Sequence, residues 1–181
     1  MKKSVAIILL SLLLFPLFLK AESRRLYPMM LGPRVSTTVL PFDKFISPVS
    51  ISGDMLINLY KNYYWLRTDI LSLTVDANSN NFGINLGVPF DFVFMGNYGA
   101  WRPYGFVGMG INVATAGERI TSWLGFDAGG GASYEISQGL HLFAELGGEV
   151  NNSKQSSPAI SENNWGYGIF LSLGTRFAFI W

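Results

Sequence analysis

The side chains able to do chemistry are few, and they recur at alternate positions. His141 is the single imidazole of the chain, and it shares its stretch with Glu135, Glu145 and Glu149. An imidazole among carboxylates could serve as a general base, provided a nucleophile lies within reach. Two residues after His141 comes Phe143, and the chain has no cysteine. Ser133 and Glu145 are the other groups that could be gathered around it. Neither a phosphate-binding GxxxxGK[ST] loop nor an HExxH zinc motif is present. With one His and no Cys, multi-His and thiolate metal sites are excluded, so no metal and no cofactor are expected. The expectation is a protein without catalysis. Arg34, Asp91, Arg102, Asp127 and Arg176 join Glu135, His141, Glu145 and Glu149 on the polar side of an alternating pattern. Charges of both signs facing one interior predict a network of ion pairs and hydrogen bonds, because a buried charge is costly unless paired.

The elements that hold these groups follow from composition. The chain has 181 residues, 13 basic and 12 acidic, with 49% hydrophobic residues, 14% charged residues and 20 glycines. That length suits one domain. The near-zero charge gives no electrostatic footprint for nucleic acid. Lys2 and Lys3 precede a nearly apolar run from Val5 to Leu19, then Lys20-Ala21 and a polar stretch. This is the three-part pattern of a secretory signal peptide, with cleavage expected after Ala21. The run is shorter than the ~20 residues a helix needs to span a bilayer. Residues 1–21 are therefore read as the signal peptide and 22–181 as the mature domain.

The mature chain repeats with a period of two, which belongs to strands with unlike faces. Phe82, Ile84, Leu86, Val88, Phe90, Phe92 and Phe94 alternate with small and polar residues, and Tyr167 to Trp181 does the same. Eight strands are expected, over 30–39, 53–61, 64–75, 82–94, 101–114, 121–136, 139–150 and 165–181. In the third, Arg67 and Asp69 share a parity with Leu71 and Leu73, which predicts a bulge near Ile70. Tight turns at 62–63 and 137–139 alternate with longer links, of which 40–52 and 151–164 are the largest. Strands of this length match the ~9–11 residues that cross a bilayer. Short turns on one side and longer loops on the other suit an up-and-down transmembrane barrel, with both termini on the periplasmic side.

The alternative is a soluble carrier barrel with its apolar face inside. Here the polar face is mostly Gly, Ser and Asn, too small and sparsely charged for a water-facing exterior. A narrow eight-stranded barrel needs small residues where side chains converge. Phe, Leu, Ile and Val on the other face suit acyl chains. Tyr63, Tyr64, Trp65, Tyr98, Trp101, Trp123, Trp165 and Tyr167 gather near strand ends as interfacial girdles would.

Phe177, Phe179 and Trp181 close the chain with an aromatic at every second position. This resembles the C-terminal signal read by the assembly machinery of bacterial outer-membrane barrels. The stretch Arg102-Pro-Tyr-Gly-Phe-Val-Gly-Met-Gly-Ile-Asn, with Gly125–Glu135 and Leu140–Leu146, is similar to small barrels of the OmpA/OmpX/OmpW-like group. The resemblance implies an eight-stranded antiparallel barrel in the outer membrane, a monomer in contact with outer-membrane lipids. Its biogenesis partners would be periplasmic chaperones and the barrel-assembly machinery. The expected role is envelope-structural or surface-interacting, through loops 40–52 and 151–164. An OmpW-like carrier for small hydrophobic molecules is the alternative, with Tyr104, Phe106, Phe143 and Phe170 as an interior apolar pocket. Lipid A deacylases among such barrels carry a His-x-Ser pair on one strand, and His141-Leu142-Phe143 lacks the serine. His141 is also placed at the turn end, away from the outer leaflet.

Overall fold

The computed structural model describes residues 26–39, 49–76, 81–116, 119–157 and 160–179. They form eight strands: β1 (Met29–Val39), β2 (Val49–Tyr60), β3 (Tyr64–Asp76), β4 (Asn81–Met95), β5 (Trp101–Ala116), β6 (Arg119–Ser137), β7 (Leu140–Ser157) and β8 (Ile160–Phe179). Each strand pairs with the next, and β1 pairs antiparallel with β8, so the sheet closes into a barrel. Closure leaves no sheet edge along the paired residues. The described residues contain no helix.

The period of two sorts the side chains. On β7, Leu142, Leu146 and Val150 face out, while His141, Phe143 and Glu145 face in and are buried. On β8, Ile169, Leu171, Leu173, Phe177 and Phe179 are exposed, whereas Phe170, Ser172 and Arg176 are buried. The outer face is thus apolar, and the charges are inside with the interior aromatics and a buried apolar cluster that includes Met30, Leu56, Trp65, Val93 and Met95; a water-soluble carrier barrel would have a polar outer face.

Turn chemistry explains one end. Lys61 and Asn62 both adopt positive φ, 45° and 60°, and the Tyr63 N–H donates to the Tyr60 carbonyl at 2.9 Å. Two left-handed residues in succession match the twist of a two-residue hairpin, and asparagine tolerates that conformation well. Gly139, at φ 81°, makes the corresponding turn between β6 and β7.

The bulge expected near Ile70 is present. The β2–β3 ladder slips between Asp69 and Ser72 and the β3–β4 ladder between Arg67 and Ser72, and Ile70 and Leu71 are consecutive exposed residues. The slip lets Arg67 face the lumen on one side of it while Ser72 faces the lumen on the other.

Several boundaries differ from the sequence reading. β2 starts at Val49, four residues before the expected position. The segment 151–164 is no loop: β7 runs to Ser157 and β8 begins at Ile160, paired from Asn151↔Gly166 to Ser157↔Ile160. The 115–120 link shrinks likewise, with Ala116 paired to Arg119. Polar residues at both parities of the sequence hide the apolar alternation that marks a strand, while the backbone ladder pairs without it. Residues 1–21, most of 40–52, and Trp181 lie outside the described residues.

Candidate functional site

The lumen is filled by charged and aromatic side chains arranged in three tiers. In the middle tier Glu145 of β7 is the hub. Its Oε1 accepts from Arg67 Nη1 at 2.7 Å, from Arg176 Nη2 at 2.9 Å and from the Tyr104 hydroxyl at 2.7 Å. Arg67 also donates through Nε to Asp91 at 2.5 Å, and Arg176 through Nε to Asp54 at 2.6 Å. Arg34 is ion-paired with Asp69. Arg67, Arg176, Asp54 and Glu145 are all buried. Three guanidiniums therefore meet four carboxylates, with arginine forks spanning strands that are not neighbours. Such charge-assisted contacts are strong, and removing one partner leaves a buried charge uncompensated.

The interior aromatics are part of this tier. Arg176 lies 3.7 Å from the Phe143 ring centre and 5.3 Å from that of Tyr104, and Arg67 lies 4.4 Å from that of Phe106. Phe170 packs against Phe106 with ring centres 5.9 Å apart. Tyr104, Phe106, Phe143 and Phe170 are thus occupied by cations and by one another, and do not line an open apolar pocket. The sequence showed four inward aromatics but not the arginines stacked on them.

The lower tier closes the turn end. Tyr27, just before β1, is buried. Its backbone N–H donates to Asn62 Oδ1 at 3.1 Å, and its carbonyl accepts from Asn58 Nδ2 at 2.8 Å. Its hydroxyl crosses the lumen to donate to Glu135 Oε1 at 3.0 Å. Burial and the hydrogen bond to this carboxylate raise the phenol above its ordinary value of 10.0. Arg102 donates to Glu135 Oε2 at 3.1 Å and lies 4.8 Å from the Tyr27 ring centre. His141 is fully buried, edge-on to Tyr27 at 5.8 Å. Trp65 is also turned inward here, 0% exposed, with its indole N–H on the Asn62 carbonyl. It therefore does not join a girdle, whereas Trp101, Tyr98, Trp165 and Tyr167 are exposed as expected.

The upper tier is looser. Arg34, Asp69, Ser72, Asp127, Glu149 and Asn151 line a cavity of about 150 Å³. Asp91, Gly108, Asp127 and Glu149 are successive register partners on β4 to β7. A Cβ on Gly108 would stand 1.9 Å from Asp91 Oδ1 and 2.6 Å from Asp127 Oδ1, so glycine is what lets the two carboxylates close over β5.

Of the nine charged or polar residues expected inside, all nine are on lumen-facing positions, but they fall into separate groups. Glu145 and Arg176 belong to the middle tier, Arg102, Glu135 and His141 to the lower, and Asp127 and Glu149 to the upper, while Arg34 and Asp91 link the middle tier to the upper. Asp54, Arg67 and Asp69 were missed. The last two were hidden by the bulge; Asp54 was legible, because it alternates with Met55 and Ile57. Tyr27 precedes the alternating pattern and no periodicity could place it. Neither ring nitrogen of His141 has a hydrogen-bond partner among the described residues, and Glu145 is engaged by arginines, so the two do not form a catalytic pair. No cluster of three or more metal-ligating side chains occurs among the described residues.

No protein-family profile and no curated protein sequence matches the chain. Solved structures do. Neisserial surface protein A is similar at TM-score 0.58 and 13% identity, covering 83% of this chain and 96% of that one. The N-terminal β-barrel domain of Pseudomonas aeruginosa OprF gives 0.56 and 14%, with the same coverage. A major outer membrane protein from Thermus thermophilus gives 0.51 and 10%, covering 83% and 99%. Likeness at these identities concerns fold, and the fold is the closed eight-stranded antiparallel barrel of small outer-membrane proteins.

Proposed function

We propose that this chain is an integral outer-membrane barrel with a non-catalytic, envelope-structural role, exported by the signal peptide at residues 1–21. The observation that carries the reading is the inverted distribution of side chains. Phe90, Phe92, Met109, Ile111, Leu146 and Ile169 project outward, each about half exposed or more, while Arg67, Arg176, Asp54 and Glu145 are buried inside. In water such a surface would be an aggregation hazard; against acyl chains it is the required solvent match. Exposed Tyr98 and Trp101 near the turns, and Trp165 and Tyr167 at the other end, suit the two interfaces.

The middle of the lumen, filled by the side chains around Glu145, supports a rigid membrane element over an open pore. The carrier reading loses its support where Phe143, Phe106 and Tyr104 stack on arginines. Lipids are then the constant partners, and chaperones and the assembly machinery the transient ones. The test is electrophoretic mobility of protein from the outer-membrane fraction, with and without boiling. A shift on boiling is expected of a folded membrane barrel. Recovery as a soluble periplasmic protein with no shift would overturn the reading.

A further inference from the structure

At the turn end of the lumen, three buried side chains carry polar atoms with no hydrogen-bond partner among the described residues. They are Nε and Nη1 of Arg102, Oγ of Ser133, and both ring nitrogens of His141. Arg102 is 4% exposed, Ser133 1% and His141 0%. Arg102 and Ser133 are direct cross-strand partners on β5 and β6. His141 sits diagonally across from Ser133 on β7, opposite Glu135. Cross-strand and diagonal neighbours on one face lie within about 8 Å, inside the reach of long side chains.

The chemistry of these atoms is one-sided. Arg102 offers the Nε hydrogen and both Nη1 hydrogens, Ser133 offers one, and His141 at least one. Against these stand only the serine oxygen and one imidazole nitrogen as acceptors. Water brings as many hydrogens as lone pairs, so it leaves the excess of donors unchanged. An anion brings acceptors alone. Glu135, the register partner of His141, supplies a carboxylate beside these donors. That carboxylate is already engaged by the Tyr27 hydroxyl, the Gly139 N–H and Arg102 Nη2.

We propose that Arg102, Ser133 and His141 form a binding site for a small anion, chloride in a cellular setting. Tyr27 roofs it from the turn end, with its ring 4.8 Å from the Arg102 guanidinium and 5.8 Å from the His141 ring. The ion enters from that end, where the nearest covering segment is held by Asn58 and Asn62. Its three side chains come from the consecutive strands β5, β6 and β7, with Tyr27 from before β1 facing them across the lumen.

The test is crystallographic, on the full mature chain in detergent, grown in sodium bromide and measured at the bromine absorption edge. An anomalous peak within hydrogen-bond distance of Arg102 Nη1 and Ser133 Oγ is expected, weakened in Ser133→Ala, which keeps the Arg102–Glu135 pair. In parallel, sodium chloride should raise the unfolding temperature above that in sodium gluconate at equal ionic strength, and Ser133→Ala should shrink the difference. A water without anomalous signal at this position would overturn the proposal. So would a bromide peak with no halide effect on unfolding in the wild type, which would mark an adventitious ion only.

Discussion

The guanidinium of Arg176 lies 3.7 Å from the centre of the Phe143 ring, on the strand next to its own. The contact joins two groups that the sequence suggests for different purposes, a charge for a polar network and an aromatic for an apolar pocket. The lumen separates them into no such compartments. A cation against a desolvated ring gains about 2 kcal/mol or more, and the aromatic in turn keeps water from the ion pairs beside it.

The hub of the network should be its most sensitive point. Glu145→Gln leaves Arg67 and Arg176 without their shared carboxylate in a buried setting, and a loss of about 3–5 kcal/mol is expected. Urea unfolding in detergent or vesicles measures it. Glu135→Gln should cost less, because the Glu135 side chain is 20% exposed and solvent screens its pair with Arg102. Equal midpoints for Glu145→Gln and wild type would show that the network contributes no stability.

Backbone approach at the closing seam sets a second prediction. A Cβ on Gly32 of β1 would stand 1.9 Å from the Thr175 carbonyl oxygen on β8, which is backbone and cannot swing away. Gly32→Ala should therefore block closure, read as loss of the heat-dependent mobility shift. Gly148→Ala is the control, since the nearest atom to its Cβ is the Gly168 carbonyl at 3.8 Å. It should fold as the wild type does.

The outer face offers a third. If the barrel sits in a bilayer, Ile169→Arg, at an exposed position on β8, should cost about 2–4 kcal/mol when the site lies near the midplane. The loss should appear for barrels folded into lipid vesicles. A substitution without effect there would place Ile169 outside the hydrocarbon.

Tyr27 gives the fourth, through pH. Its phenol is raised above 10.0 in the folded barrel. Below the unfolded value both states are protonated and the contribution is fully present. As pH climbs past 10 toward the folded value, the unfolded chain loses its proton first and stability falls. Tyr27→Phe should flatten that alkaline decline while lowering stability near neutrality by about 1 kcal/mol for the lost hydrogen bond.

The alternation carried most of the architecture. Strands with a strict period, such as β4 from Phe90 to Met95 and β5 from Trp101 to Ile111, are legible because exposed Phe90, Phe92, Val107, Met109 and Ile111 alternate with inward Asp91, Arg102, Tyr104, Phe106 and Gly108. Legibility failed where a physical demand was missing or doubled. In β3 the bulge at Ile70 and Leu71 shifts the phase, so Arg67 and Asp69 read as members of the apolar face. Beyond Asn151 both faces are polar and the hairpin has no periodic signature. Trp65 has the composition of an interfacial residue, but its indole is committed to the Asn62 carbonyl by a turn three residues away. Pairings among the charges depend on register across strands, which composition does not encode.

The pairing of β1 with β8 has a consequence for how such a chain can change over generations. Val39 meets Ile169, so the seam joins opposite ends of the sequence. Removing a single strand would reverse the direction of every later crossing and leave the first and last strands parallel, so the antiparallel seam would be lost. Removing or duplicating a hairpin keeps the up-and-down order and allows the ring to close again at another diameter. The length of this sequence is therefore free to vary at its tips residue by residue, but its wall keeps an antiparallel seam only when it changes in steps of two strands.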